Sequence, residues 1–193
     1  MLLATAAGEE AENYWFARIG GTADDLGRGI AYDSSGNVYP VGYHEVTNQN
    51  AQIVKYDSSG TIQWQRTIKG TGSFDNDAFE DIAIDSSGNI YAAGKVDGGP
   101  NCLLAKYNAS GVLQWQRQLA DGSNFSTFAA VALDSSGNVY AAGTQGNGDT
   151  GIHDCLITKY NSSGTLQWQR SLGRASKYTG FYSMTIDGSN NIY

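Results

Sequence analysis

Apolar and polar residues alternate along this chain in short runs, the period-two pattern of strands that bury one face. Gly29 to Asp33 (GIAYD) separates Ile30 from Tyr32 by the small Ala31, and DIAID (81–85), AVALD (130–134) and SMTID (183–187) repeat the pattern. Asn37 to Tyr43 (NVYPVGY) predicts a second strand and Ala51 to Tyr56 (AQIVKY) a third. A fourth covers Thr61 to Ile68, with Ile62, Trp64, Arg66 and Ile68 on one face and Gln63, Gln65 and Thr67 on the other.

Polar turns punctuate the strands. Ser34-Ser35-Gly36 joins the first pair and Asp57-Ser58-Ser59-Gly60 the second. The Asp33 side chain accepts from backbone N–H groups ahead of it, and Gly36 supplies a positive φ. The small residue at Ala31, Ala83, Ala132 and Thr185 suits a strand lying close against another sheet. Pro40 stands where later copies carry Ala92 and Ala141, so its strand should be locally weak. Trp64 is expected to bury its ring between neighbouring sheets. Arg66 on the same face needs a carboxylate or carbonyl partner unless its head reaches water.

This four-strand unit recurs. KYDSSGTIQWQR (55–66), KYNASGVLQWQR (106–117) and KYNSSGTLQWQR (159–170) interleave with DSSGNVYPVG (33–42), DSSGNIYAAG (85–94) and DSSGNVYAAG (134–143). Trp15, Trp64, Trp115 and Trp168 return about every 50 residues, a repeat architecture. Asp33, Asp85, Asp134 and Asp187 mark the turns, with Gly36, Gly88 and Gly137 in the first three and DGSNNIY (187–193) as an altered fourth copy.

Four strands in about 50 residues, repeated, describe the blades of a β-propeller. The expected fold is an all-β propeller array of four-stranded antiparallel blades, three complete and partial ones at both ends. Residues 1–10 are a poorly ordered lead-in and 11–25 the last strand of a preceding or closing blade. Blades cover 26–78, 79–127 and 128–180, and 181–193 supplies the first two strands of another. Three arrangements satisfy this pattern: part of a longer chain, a ring made with other copies, or a small self-closed ring.

The repeat phrases DSSGNVYAAG and KYNSSGTLQWQR resemble the seven-bladed β-propeller repeat family of bacterial and phage proteins, over residues 11–193. The resemblance implies a surface-exposed or secreted bacterial scaffold, or an appendage protein such as a phage tail fibre. It brings no fixed catalytic residues, and propellers host many unrelated functions.

Composition narrows the partners. Charged residues make up only 16%, and 25 Gly accompany 2 Pro, fitting short strands and tight turns. A net charge of −7 with no basic patch argues against nucleic acid. No apolar stretch reaches the roughly 20 residues of a membrane helix. Met1 to Ala7 (MLLATAA) lacks the positive start and apolar length of a signal peptide, so no export signal is read there, although the expected setting is extracellular, cell-surface or virion. Cys102 and Cys155 occupy equivalent repeat positions, too far apart to bridge, and are expected as unpaired, partly buried thiols.

Candidate chemistry is sparse. DSSGN resembles an oxygen-rich calcium loop but offers one carboxylate per turn, so a plain hairpin turn is the better reading. Asp57, Gly60 and Trp64 resemble the docking turn of quinone-binding propellers, with different spacing, and a sialidase-like Asp box is also out of register. Glu80-Asp81 and Asp24-Asp25 read as solvated carboxylates or partners of Arg28 or Arg66. No catalytic, metal or cofactor residues are assigned.

The copies differ most after each second strand, at 44–50, 95–101 and 144–154, and such loops are where specificity sits on a repeating scaffold. Tyr43, His44, Asn48 and Asn50, with Gln145, Asn147 and Asp149, are the candidate ligand residues, glycans the candidate ligand. The expected role is a non-enzymatic structural or recognition module that contacts other subunits or a longer parent chain. The alternative is a secreted carbohydrate-active hydrolase or lyase using a propeller channel.

Overall fold

The computed structural model describes residues 24–45, 49–72, 76–96, 102–119, 126–146, 153–173 and 178–193. Trp15, Asn48, Asn147, Asp149 and the predicted 1–10 segment lie outside them. Every regular element among the described residues is a strand, twelve in all. They form three separate four-stranded antiparallel sheets, each in simple sequence order.

Sheet one holds β1 (Leu26–Tyr32), β2 (Val38–Glu45), β3 (Gln49–Tyr56) and β4 (Ile62–Ile68). Sheet two holds β5 (Ala78–Ile84), β6 (Ile90–Lys95), β7 (Cys102–Tyr107) and β8 (Leu113–Leu119). Sheet three holds β9 (Thr127–Leu133), β10 (Val139–Gly146), β11 (His153–Tyr160) and β12 (Leu166–Leu172). Strand edges extend past the sequence reading at the loop end, where β1 starts at Leu26 and β3 at Gln49.

Successive sheets stack face to face, giving two cores. Tyr39, Val41, Ala51 and Ile53 of sheet one pack on Phe79, Ile82, Ile90, Ala92 and Leu103 of sheet two. Tyr91, Ala93 and Leu104 of sheet two meet Phe128, Val131, Val139 and Leu156 of sheet three by the same rule. The middle strands are therefore buried on both faces, as β6 is along nearly its whole length. The first strands of sheets one and two come close at Gly29. A Cβ at Gly29 of β1 would stand 3.2 Å from the Asp81 Cα of β5.

Two local features shape each sheet. Pairing between β2 and β3 lapses at Tyr39 and Pro40, whereas β6 pairs with β7 without a gap. The missing proline N–H explains the lapse. The second feature is a bulge in each first strand, between Gly27 and Gly29, between Phe79 and Asp81, and opposite Ala142–Gly143. At each bulge the first strand presses on a glycine of the second. A Cβ at Gly42, Gly94 or Gly143 would fall about 2 Å from a backbone oxygen of the bulged strand.

Both cysteines remain thiols. They are buried outright, deeper than the partly buried positions expected, and Cys102 Sγ donates to the Thr144 carbonyl at 3.8 Å.

Candidate functional site

The two ends of each sheet differ in kind. One end is built from the recurring turns and the other from the variable loops.

At the turn end, Asp33 closes its own hairpin. Its Oδ1 accepts from the backbone N–H of Ser35 (2.9 Å) and Asn37 (3.0 Å). Its Oδ2 accepts from Asn37 Nδ2 (2.7 Å) and the Tyr39 hydroxyl (2.9 Å). Asp85 and Asp134 repeat all four bonds. So does Asp187, where Asn190 at φ 64° takes the place of Gly36, Gly88 and Gly137 near φ +76°. Burial raises the pKa of Asp33, Asp85 and Asp134, but these hydrogen bonds outweigh it and leave each below its ordinary value. The carboxylates are thus turned inward and engaged by their own turns. Among the described residues no three His, Cys, Asp or Glu side chains group as metal ligands would.

The turn end also carries the link between sheets. Trp64 on β4 leans over the β7–β8 turn and donates its indole N–H to the Ala109 carbonyl at 3.3 Å. Arg66 donates to the carbonyls of Gly111, Ser110 and Gln65, the carbonyl partners its position demands. Trp115 and Arg117 reach Ser162, Gly164 and Ser163 of the β11–β12 turn in the same way. Within each sheet the indole also meets a tyrosine, Tyr39 with Trp64 at 6.0 Å and Tyr91 with Trp115 at 6.1 Å between centroids. Trp64 and Trp115 are half-buried, each seated over a turn of the next sheet and packed against the rim of the core between the two sheets. That turn position is glycine because only glycine leaves room beneath the ring.

At the loop end, Tyr43, His44 and Asn50 fall on β2 and β3, with His44 directly opposite Asn50. His44 Nδ1 lies 2.5 Å from Asp25 Oδ1, which also accepts from the Glu45 N–H at 3.1 Å. Gln145 sits on β10 opposite Asp154, in a different sheet from His44. His153 packs against Tyr178 with the rings tilted and 4.6 Å between centroids. The candidate ligand residues therefore occupy the loop ends of separate sheets.

The adjacent carboxylates divide their work. Asp25 meets His44, Glu80 pairs with Arg28 at 3.6 Å, and Asp81 accepts from the Val131 N–H at 2.8 Å. Burial raises the Asp81 pKa, with the Val131 N–H pulling the other way.

One recurrence escaped the sequence reading. Asp25, Asp77, Ser126 and Thr179 each stand eight residues before a turn aspartate. Each side-chain oxygen accepts a loop-end backbone N–H, from Glu45, Gly70, Gly146 and Cys155 respectively. The positions share an oxygen but not a residue type, so only their spacing could have exposed them.

No family model and no curated protein matches the chain. Among solved structures it is similar to a eukaryotic initiation factor at a TM-score of 0.53 and 12% identity, covering 86% of this chain and 37% of that one. At that identity the likeness concerns the fold alone. A protein of unknown function from Bacteroides caccae matches with a TM-score of 0.27 and 13% identity over 76% of this chain and 81% of that one, too low to carry an argument.

Proposed function

We propose that the three sheets are blades of a β-propeller sector and that the chain is a non-enzymatic structural or recognition module. The observation that carries this is the repeated dock, in which Trp64 and Arg66 grip the Asn108–Gly111 turn and Trp115 and Arg117 grip the Asn161–Gly164 turn. A contact that hands each sheet to the next with one geometry propagates around an axis. The most strongly recurring residues are consumed in that contact and in the turns, and the variable ones gather at the loop ends, the division expected of a scaffold that presents loops.

On this reading 26–78, 79–127 and 128–180 are blades and 181–193 opens another, its Ile186–Ile192 bridge being the start of a first hairpin. The contact surface is the loop end, with Tyr43, His44, Asn50 and Gln145 among its residues and surface glycans as the ligand class. The resemblance of the repeats supports a phage appendage or a bacterial surface as the setting of such a module. Immobilised glycans and a panel of glycosidase and esterase substrates test the proposal together. Binding that is lost in His44→Ala, without turnover, supports it. Turnover that disappears when one carboxylate is neutralised replaces it with the hydrolase reading.

A further inference from the structure

We infer that this chain binds a second copy of itself head to tail, a groove on sheet one of one copy receiving the outer face of residues 178–193 of the next. The inference rests on the propeller reading and names the partner of its two end faces.

The contact is already made twice within the chain. Tyr39 of sheet one is fully buried against sheet two, and Tyr91 of sheet two is equally buried against sheet three. Each such face is received by an isoleucine or valine of the next first strand, Ile82 at 7% exposure and Val131 at 5%. Part of the same contact stands open on sheet one and on the residues seated against sheet three. On sheet one, Ile30 occupies the place of Ile82 and Val131 and is 70% exposed, with Tyr32 beside it at 80%. Ile30, Val38, Pro40, Val54 and Tyr56 line a groove of about 300 Å³, at the positions that Ile82, Ile90, Ala92, Ala105 and Tyr107 hold in the first core. Val54 and Tyr56 are already buried, at 1% and 2% exposure, so the open part of the groove is its Ile30, Val38 and Pro40 side.

The other half is presented by residues 178–193. This segment is seated on sheet three, where Phe181 N–H donates to the Gly143 carbonyl and Asn190 bonds Ser135 in both directions. Its outward face carries Thr185 and Tyr193, at the places of Ala83 and Tyr91. Tyr193 is 72% exposed where Tyr39 and Tyr91 are 0% and 1%. Its hydroxyl is held by Asp187 as the others are held by Asp33 and Asp85, so the ring is already aimed as its buried counterparts are. A large aromatic presented to water and the open Ile30 side of an apolar groove, each matching part of an interface the chain builds twice, fit one another. Because the two halves lie on different surfaces, the contact is heterologous, and copies add in one direction.

The test uses the whole chain and sedimentation across micromolar to submillimolar concentration. Wild type is expected to gain mass with concentration. Ile30→Glu spoils the groove only, and Thr185→Lys with Tyr193→Ser spoils the inserting face only. Each variant alone should associate about tenfold more weakly or not at all. An equimolar mixture of the two should recover a species of two chains, since one intact half survives on each. A wild type that stays monomeric, variants that associate like wild type, or a mixture that stays monomeric overturns the inference. Iodide quenching of tryptophan keeps the two readings apart. A monomer whose docked tryptophans stay shielded removes only this contact, whereas general quenching removes the propeller reading as well.

Discussion

Trp64 lies so close over Gly111 that a Cβ built on the glycine would stand 2.7 Å from Trp64 Cδ2, and Trp115 stands at the same 2.7 Å over Gly164. The glycine's positive φ turns the chain, and its bare Cα leaves the seat for the indole. The two requirements separate at Gly137, where φ is +75° but nothing lies within 4 Å of an added Cβ.

Alanine at these three positions tells the two costs apart. Gly137→Ala should cost only the left-handed backbone penalty, about 1–2 kcal/mol. Gly111→Ala and Gly164→Ala should cost that plus displacement of a docked ring, about 2–4 kcal/mol in total. Urea unfolding followed by tryptophan emission measures all three. Equal losses at Gly111 and Gly137 would show that the indole does not depend on the seat.

The arginine beside each indole gives a second internal comparison. Arg66 and Arg117 bridge to three carbonyls, two of them on the next sheet. Arg170 donates to the Gln169 carbonyl of its own strand and is exposed. Lysine keeps the charge but loses the planar fork that reaches several carbonyls at once. Arg66→Lys and Arg117→Lys should each lower stability by about 1–2 kcal/mol, and Arg170→Lys should change it by less than about 0.5 kcal/mol. Thermal melts of the three variants decide the matter, and a loss at Arg170 as large as at Arg66 would contradict it.

These docks mark where the sequence stops being legible. The strands, turns and weak pairing at Pro40 follow from alternation and from residues with local consequences. The role of Asp33 is equally local, since all four of its donors lie within six residues. Gly42, Gly94 and Gly143 recur visibly, but their reason is a bulge in the partner strand, which no local pattern announces. Trp64 was recognisable as an inter-sheet residue, yet its seat on Gly111 lies 47 positions away and depends on how whole sheets stack. The loop end was least legible, because His44 draws its partner Asp25 from a different connection of the same sheet.

Acid should unfold the chain through its turns. Asp33, Asp85 and Asp134 have native pKa values below the ordinary 3.8, as does Asp187, whose bond from Asn191 is the largest cause. A depressed native value means stability that is fully present above the unfolded pKa and is lost as pH falls through the native one. The melting temperature should therefore hold through mildly acidic pH and drop steeply below about 4. Asn108 and Asn161, which accept two backbone N–H bonds each, show what Asp85→Asn would retain. That variant should lose about 1 kcal/mol at neutral pH through the Asn89 and Tyr91 bonds, and its acid limb should be shallower. An unchanged limb would locate the acid sensitivity elsewhere.

Asp81 has the opposite sign. Burial between β5 and β9 raises its pKa, and the Val131 and Ile82 N–H groups only partly compensate. A carboxylate whose native pKa lies above its unfolded value destabilises the fold at neutral pH, and the penalty disappears as pH falls below the unfolded value. Asparagine keeps an oxygen for the Val131 N–H and removes the buried charge. Asp81→Asn should therefore raise the melting temperature at pH 7, by a margin that shrinks toward zero near pH 3. Gly29 and Ala130 hold the same place in the other first strands without a carboxylate, so the sheet geometry does not require one. Paired melts of wild type and variant from pH 7 to pH 3 read the difference directly. A variant less stable than wild type at neutral pH would mean that the Val131 and Ile82 N–H groups more than offset the burial of the Asp81 charge, and the order of the two curves at pH 7 is enough to decide it.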